Sequence, residues 1–263
     1  MTGVGSDAAA PAAVLDRAQF LRPMAHRGLH VAAKGVIENT APAFQAAIAK
    51  GYGIECDLQA AADGTPFVFH DGTLDRLVDA TGAVAARSPA NLATLHYKDQ
   101  KTRILSFAEF LVLVAGRVPL LVEVKNSGAP ARTAFLEKTA AEASGYSGPV
   151  ALMSFDAGFV VALGKLAPKV PRGWIIGIEE LPSNWRSMPG GADKEAAVGA
   201  LLGTAPAGVA FFAVDVKMLP EAAAWMARQP ARLPLFSWTI RTPEQRAIAA
   251  RWADAPIFEG YEP

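Results

Sequence analysis

The segment GIECDLQ, residues 53–59, is a short and largely apolar run that follows APAFQAAIAK (41–50), a segment with helical spacing of its apolar residues. The same alternation recurs along the chain and predicts βαβ units with a parallel sheet. Working outward from residues 53–59, the pattern predicts strands at 23–27, 53–59, 119–125, 149–155, 172–177, 208–214, 234–240 and 255–260. It predicts helices at 41–50, 106–115, 131–144, 156–166, 194–203, 219–228 and 243–252.

Eight strands with intervening helices in a chain of 263 residues predict an α/β fold of the (β/α)8 TIM-barrel type. A doubly wound sheet is the alternative. The stretch at about 60–105 is too long for a simple connection, so a small insertion after strand 2 is predicted. Residues 1–20 are predicted to be an N-terminal extension and 21–263 a single barrel domain. A second long loop is predicted at 179–194.

Composition limits the classes of partner and the location. Lys and Arg number 25 and so do Asp and Glu, so no net field would hold nucleic acid or an anionic membrane. The single cysteine, Cys56, fits a reducing compartment. Residues 1–20 do not resemble a secretory signal, and the longest apolar stretch, 107–124, is interrupted by Glu109, Arg117 and Pro119. These observations predict a cytoplasmic protein with no membrane span.

Acidic side chains repeat at a spacing of two on the predicted strands. Glu55 and Asp57 share one face of their strand, and Glu123 and Lys125 repeat this spacing on the third strand. Inside a barrel the three carboxylates would converge, and a divalent cation would offset their mutual repulsion. Oxygen ligands favour Mg²⁺ or Ca²⁺ over Zn²⁺. The alternative is that Glu55 and Asp57 form salt bridges with Arg27 and Lys125 that hold the barrel together.

Histidines end two of the predicted strand-like runs. His26 ends the first strand and His70 ends PFVFH (66–70), so both are candidates for acid/base chemistry at the catalytic end of a barrel. The alternative for His70 is a turn or capping pair with Asp71. His30 and His96 do not end a predicted strand and are interpreted as loop residues.

Five motifs in order carry a family resemblance, namely AHRG (25–28), ENT (38–40), IECD (54–57), DGTPFVFHDGTLDR (63–76) and VEVK (122–125). The chain resembles the glycerophosphodiester phosphodiesterase family, within the phosphatidylinositol-phospholipase-C-like phosphodiesterase superfamily. The similarity continues more thinly through SFD (154–156) and WTIRTPEQ (238–245).

The resemblance implies a barrel enzyme that hydrolyses glycerophosphodiesters to glycerol 3-phosphate and an alcohol, with one divalent cation, Mg²⁺ or Ca²⁺, as cofactor. It implies that the neighbouring glycerol hydroxyl attacks the phosphorus and that water then opens a cyclic phosphate. The residues it implies are the acid/base pair His26 and His70, the metal ligands Glu55, Asp57 and Glu123, the phosphate contacts Arg27, Lys125 and Asn39, Trp238 facing the glycerol, and Glu38 as a metal ligand or a neighbour of the ligands.

Several alternatives remain open at this point. Asn39 and Thr40 could cap the helix at 41–50, with capping as the main role of Thr40, and Trp238 could fill the core. The chain departs from the family pattern at Ala61, Arg241 and Glu259.

Two other functions are also considered. One is lysophospholipase D-type cleavage of lipids, for which Leu181, Trp185 and Met188 in the loop 179–194 would offer an apolar entry. The other is a barrel that only binds phosphorylated metabolites. The expected partner is a small-molecule diester, with no nucleic acid.

Overall fold

Eight parallel strands close into a barrel in the computed structural model, which describes residues 13–263. The strands of this range are β1 (Met24–His26), β2 (Gly53–Ala60), β3 (Pro66–Val68), β4 (Leu120–Val124), β5 (Val150–Ser154), β6 (Arg172–Ile176), β7 (Phe211–Asp215), β8 (Leu235–Ile240) and β9 (Ala255–Phe258). All except β3 pair in parallel around the barrel, and the pairing of β1 with both β2 and β9 closes it. The predicted TIM barrel is confirmed.

Helices follow the strands and cover the outside of the barrel. Within residues 13–263 they are α1 (Arg17–Phe20), α2 (Ala41–Ala49), α3 (Pro89–Thr94), α4 (Phe107–Val114), α5 (Arg132–Gly145), α6 (Ala157–Leu166), α7 (Ala192–Leu202), α8 (Leu219–Met226) and α9 (Pro243–Trp252). Among residues 13–263, none of the helices combines the length and the hydrophobicity that a membrane span requires.

Alternate residues of each strand pack into two different layers of the core. Met24, Leu121 and Phe211 point into the barrel interior and form one cluster. Cys56 and Val122 belong to the larger cluster between strands and helices. Because side chains alternate along a strand, the neighbours of Cys56 on β2 point inward, as the spacing predicted.

Polar side chains cap several of the helices at their N-termini. Ser106, Asp156 and Thr242 each accept a hydrogen bond from the backbone N–H three residues ahead. The prediction for Thr40 is wrong, because its side chain makes no capping bond to α2 and its hydroxyl instead donates to the carbonyl of Ile37 at 2.6 Å.

The insertion after β2 has its own small core. β3 runs antiparallel to β2, with Leu58 opposite Val68, and the chain then passes through α3 before it reaches α4. A separate apolar cluster holds this segment together, formed by Ala61, Phe67, Phe69, Leu74, Val78, Val84, Leu92, Tyr97 and Ile104. His70 follows β3 directly, so this insertion carries it to the rim of the barrel.

The N-terminal segment reaches the opposite end of the barrel. Residues 1–12 of the predicted extension lie outside the described residues. Leu15 and Phe20 are buried in the interior cluster, and Phe20 lines a cavity together with Val150 at the start of β5. The division at residue 20 between an extension and one barrel domain stays a prediction.

The loop 179–194 is largely packed against the core. Leu181 and Trp185 are each 6% exposed, and Met188 packs against the main cluster. The Lys194 ammonium lies 4.9 Å above the Trp185 ring. The expectation that these apolar side chains form an exposed entry for lipid is therefore wrong.

A turn of the insertion touches α5 so closely that only glycine fits. Gly64 has a φ of +81°, and an added Cβ would lie 2.6 Å from the backbone nitrogen of Phe135. Gly82 has a φ of +90°, and an added Cβ there would have no other heavy atom within 4 Å.

Gly82→Ala should lower the free energy of unfolding by about 1–2 kcal/mol through backbone strain alone. Gly64→Ala should lower the free energy of unfolding by about 1–3 kcal/mol more than Gly82→Ala does, because α5 must move. Urea unfolding measures both values, and an equal loss of stability in the two variants would contradict the prediction.

Candidate active site

Three carboxylates converge inside the barrel near the carboxyl ends of its strands. Parallel register sets Asp57 on β2 opposite Glu123 on β4, and His26 on β1 opposite Glu55 on β2. Glu55, Asp57 and Glu123 are 2%, 1% and 9% exposed, and each can offer an oxygen within 4.8 Å of the others. These three residues are called the acidic cluster below.

One cation of the chain lies within the acidic cluster. The Lys125 ammonium lies 3.0 Å from Asp57 Oδ1 and 2.7 Å from Glu123 Oε1. The Arg27 guanidinium Nε lies 3.5 Å from Asp57 Oδ2. Of the salt bridges that the sequence offered as an alternative, those of Asp57 with Arg27 and Lys125 are formed. Within the described residues Glu55 makes none with either side chain, and Lys125 pairs with Glu123 instead. Glu55 accepts a hydrogen bond from the Arg27 backbone N–H at 3.1 Å.

Two cationic side chains, Lys125 and Arg27, stand beside three carboxylates, so the acids are not fully balanced. Burial, together with the Asp57 and Glu123 carboxylates, raises the pKa of Glu55 well above its usual range. Burial also raises the pKa of Glu123 to about 7, although Lys125 opposes the shift. For Asp57 the neighbouring cations, Lys125 first, outweigh burial and lower the pKa. A further cation would let all three ionise, and the three oxygens fit the donor set of a hard divalent ion.

His26 lies beside the acidic cluster, and Glu259 fixes its ring from the opposite side. Its Nε2 lies 4.0 Å from Glu55 Oε2, while its Nδ1 is 2.7 Å from Glu259 Oε2. Burial lowers the pKa of His26 despite the hydrogen bond to Glu259. The pKa of Glu259 is also lowered, since His26 and Arg241 outweigh burial. An ionised Glu259 accepts the Nδ1 proton, which leaves the lone pair of the neutral ring on Nε2.

His70 is arranged in the same manner on the insertion. Its Nδ1 is 2.7 Å from Asp71 Oδ1, and burial lowers the pKa of His70. Arg76 donates to both oxygens of Asp71, so the ring is tied to a fixed carboxylate. His70 and His26 line the same cavity of about 270 Å³.

An arginine pair surrounds Glu38. Arg27 Nη1 donates to Glu38 at 2.7 Å, and Arg76 donates to both of its oxygens at 2.7 and 2.9 Å. Glu38 lies outside the group of carboxylates that come within 4.8 Å of one another. Its position links the first strand's loop to the insertion and orients Arg27, which lines the cavity.

Asn39 and Trp238 also lie at this end of the barrel. The Asn39 amide donates to Asp57 Oδ2 at 2.8 Å, and the buried Oδ1 has no hydrogen-bond partner within residues 13–263. Trp238 lines the cavity, its Nε1 donates to the Ala213 carbonyl, and Phe155 packs edge-on against its ring at 5.5 Å. Trp238 therefore fills part of the barrel and faces the cavity at once.

Comparison with known proteins identifies the family. The model of the glycerophosphoryl diester phosphodiesterase family matches residues 26–258. The chain belongs to this family. No curated protein is significantly similar to it in sequence. Membership of the glycerophosphoryl diester phosphodiesterase family confirms the predicted enzyme class, a phosphoric diester hydrolase.

Solved structures of family members share the fold. One, from Oleispira antarctica, is a phosphodiesterase in complex with the product sn-glycerol-3-phosphate; it is 20% identical with a TM-score of 0.69, over 90% of this chain and 92% of that one. Another, a glycerophosphodiester phosphodiesterase from Agrobacterium tumefaciens, is 21% identical with a TM-score of 0.62, over 90% of this chain and 96% of that one. A glycerophosphodiester phosphodiesterase from Thermotoga maritima is 20% identical with a TM-score of 0.61, over 90% and 93%. At these identities the likeness establishes the barrel.

Some residues of this phosphodiesterase family member gained no role from the sequence. Glu259 was noted only as a departure from the family pattern, yet it holds His26. The signal was available in principle, because β9 pairs with β1 and Phe258 lies opposite Ala25. Arg241, another of the three departures, donates to the same Glu259 oxygen at 2.8 Å and lines the cavity.

Proposed function

We propose that the chain hydrolyses glycerophosphodiesters to glycerol 3-phosphate and an alcohol, with one divalent cation and with His26 and His70 as the acid/base pair. The observation that carries the proposal is the buried acidic cluster in a cavity that both histidines line. Family membership supports the substrate class. The Oleispira antarctica relative, with its bound sn-glycerol-3-phosphate, supports a product of the same kind.

Glu55, Asp57 and Glu123 would hold the cation. A bound Mg²⁺ or Ca²⁺ would supply positive charge against the phosphate oxygens, where negative charge grows during displacement. The acids support a bound cation, because without such an ion the pKa values of Glu55 and Glu123 are both raised. Recovery of turnover with Mg²⁺ or with Ca²⁺ would distinguish the two ions.

The cationic side chains at the cavity would bind and orient the phosphate. Arg27 has its Nη1 bound to Glu38, so its planar guanidinium is fixed and can present a second N–H to an oxygen. Lys125 is half-buried between Asp57 and Glu123, whose carboxylates raise its pKa against the effect of burial, so it stays charged at neutral pH. Trp238 and Phe155 would then contact the carbon skeleton of the substrate and exclude water from it.

The two histidines would move the protons. With Nδ1 bonded to a carboxylate in each ring, Nε2 is the atom that can take a proton from an attacking hydroxyl. The other ring, when protonated, gives a proton to the departing alkoxide. If the attacking group is the neighbouring glycerol hydroxyl, the rings exchange roles when water opens the cyclic phosphate. The cytoplasmic location stays a prediction from sequence.

The proposal is tested with the purified full chain and a panel of glycerophosphodiesters with different alcohols. We expect release of glycerol 3-phosphate, its loss after chelation, and its recovery when Mg²⁺ or Ca²⁺ is returned. Turnover that survives chelation would contradict the cation requirement. Binding of glycerol 3-phosphate without any turnover would identify a barrel that only binds phosphorylated metabolites. Lysophospholipids in the same panel separate the lipid-cleaving alternative.

A further inference from the structure

A second group of metal-binding side chains lies beside the acidic cluster and shares none of its residues. His26, His30 and Glu259 can each offer a ligand atom within 4.8 Å of the other two. His30 has no part in the proposed hydrolysis. Two imidazoles and one carboxylate form a donor set that binds zinc in many proteins, in contrast to the all-oxygen set of the acidic cluster.

The backbone after β1 brings His30 back toward His26. Arg27 and Gly28 have φ values of +56° and +79°, so the chain turns sharply at the end of the strand. The His30 backbone N–H then donates to the Gly28 carbonyl at 2.9 Å. On the other side, β9 pairs with β1 and sets Glu259 next to His26. Three adjacent pieces of the rim thus supply the three ligands.

Some polar atoms of these three side chains have no hydrogen-bond partner in the described residues. His30 Nε2 is buried and has no hydrogen-bond partner in the part of the chain that the structure describes. In that same part, both hydrogen bonds to Glu259 are made by Oε2, one from His26 and one from Arg241. Oε1 therefore has its lone pairs available. A buried imidazole nitrogen without a partner is costly, and a bound metal ion would satisfy it.

A metal ion can reach the group from its own side of the rim. His30 and Glu259 line a cavity of about 810 Å³ whose other walls are mostly apolar. His26 lines the separate cavity that contains the acidic cluster. This cavity would give an ion an approach to His30 and Glu259 that is separate from the cavity of the acidic cluster.

We propose that His26, His30 and Glu259 form a second metal site, which takes Zn²⁺ or a similar transition metal and inhibits the enzyme when filled. Ligation uses one ring nitrogen of His26. A metal on Nε2 blocks the atom that exchanges protons, and a metal on Nδ1 leaves the only ring proton on Nε2, so the neutral ring cannot accept another there. The inhibition rests on the proposed function, whereas the binding does not.

Arg241 is the competitor of the metal for this site. Its guanidinium is 2.8 Å from Glu259, but the side chain is 50% exposed, so it can swing into solvent when a metal arrives. The site therefore suits an ion with strong affinity for imidazole, and Mg²⁺ and Ca²⁺, which prefer oxygen, would not compete for it.

The binding is tested by zinc stoichiometry in equilibrium dialysis of the full chain. The wild type is expected to bind one more Zn²⁺ per chain than His30→Ala, whatever the acidic cluster takes up. His30→Asn keeps a polar group at the position and guards against misfolding, and circular dichroism checks both variants. His96→Ala, a change at an exposed residue, should bind like the wild type. Equal stoichiometry in wild type and folded His30 variants would overturn the site.

The inhibition is tested by zinc titration of turnover at a fixed, saturating concentration of Mg²⁺. His30→Ala should keep the basal rate and need at least about 10-fold more Zn²⁺ for half inhibition. Loss of a mere hydrogen-bond partner of a metal ligand already lowers metal affinity by roughly 10-fold or more, and loss of a ligand should cost at least as much. The same zinc sensitivity in His30→Ala and wild type would overturn the inhibitory role. A chain without any phosphodiesterase activity would refute the proposed function alone, because dialysis still decides the site.

Discussion

Replacing His26 with alanine is expected to lower kcat/KM for a glycerophosphodiester by roughly 100- to 10,000-fold, the range typical of a lost general acid or base. The ring is the only titratable group that faces the acidic cluster from β1 in the described residues, and Glu259 holds its Nδ1 so that Nε2 faces the cavity. His70→Ala should cause a loss of similar size from the other side. Steady-state kinetics on the purified variants measure both losses.

The control is His96→Ala, because this exposed histidine lies outside the cavity. It should leave the rate unchanged. The two active-site variants should still bind the divalent cation, since neither ring belongs to the acidic cluster. Normal turnover in either His26→Ala or His70→Ala would refute the acid/base assignment. Loss of both turnover and cation binding would point to a metal ligand instead.

The second large effect is expected for Glu123→Gln, which removes one negative charge from the acidic cluster with almost no change of shape. Cation affinity should fall by more than the roughly 10- to 100-fold that loss of a hydrogen bond to a metal ligand costs. Lys125 keeps its contact with Asp57, so the fold should persist. Isothermal titration with Mg²⁺ and with Ca²⁺ measures the affinity.

Two matched substitutions sharpen this result. Glu137→Gln changes an exposed carboxylate on α5 and should have no effect on cation affinity. Glu38→Gln disturbs the ion pairs with Arg27 and Arg76 but removes no member of the acidic cluster, so its effect on affinity should be smaller than that of Glu123→Gln. An equal loss in Glu38→Gln would make Glu38 a direct ligand, and unchanged affinity in Glu123→Gln would refute the proposed metal site.

The barrel strands could be predicted because buried parallel strands appear in sequence as continuous apolar runs. The predicted strand at 53–59 is observed as Gly53–Ala60, and that at 149–155 as Val150–Ser154. The short helices were missed. α3 spans six residues inside a polar segment, although Ser88 and Pro89 form a recognisable start signal. α1 is a single turn, too short for any period to appear.

The acidic cluster followed from spacing, but its surroundings did not. A separation of two residues put Glu55 and Asp57 on one face of a strand, and strand order brought Glu123 beside them. The contacts of Glu38 depend on how the insertion docks, because Arg76 comes from it. Asn39 reaches Asp57 from a left-handed backbone conformation, with φ +55°, that is uncommon for residues other than glycine.

His26 and His70 belong to different parts of the fold. The spacing between the two rings can therefore change in evolution separately from the binding of the cation. His26 is part of the barrel wall, whereas His70 is carried by the insertion with its own apolar cluster. Exchanging residues of that cluster other than Tyr97, which donates to the backbone carbonyl of Asn39, would move His70 relative to His26 while β2 and β4 keep the carboxylates in place. A lineage could in this way adapt to bulkier or slimmer diesters while its hold on the cation stays constant.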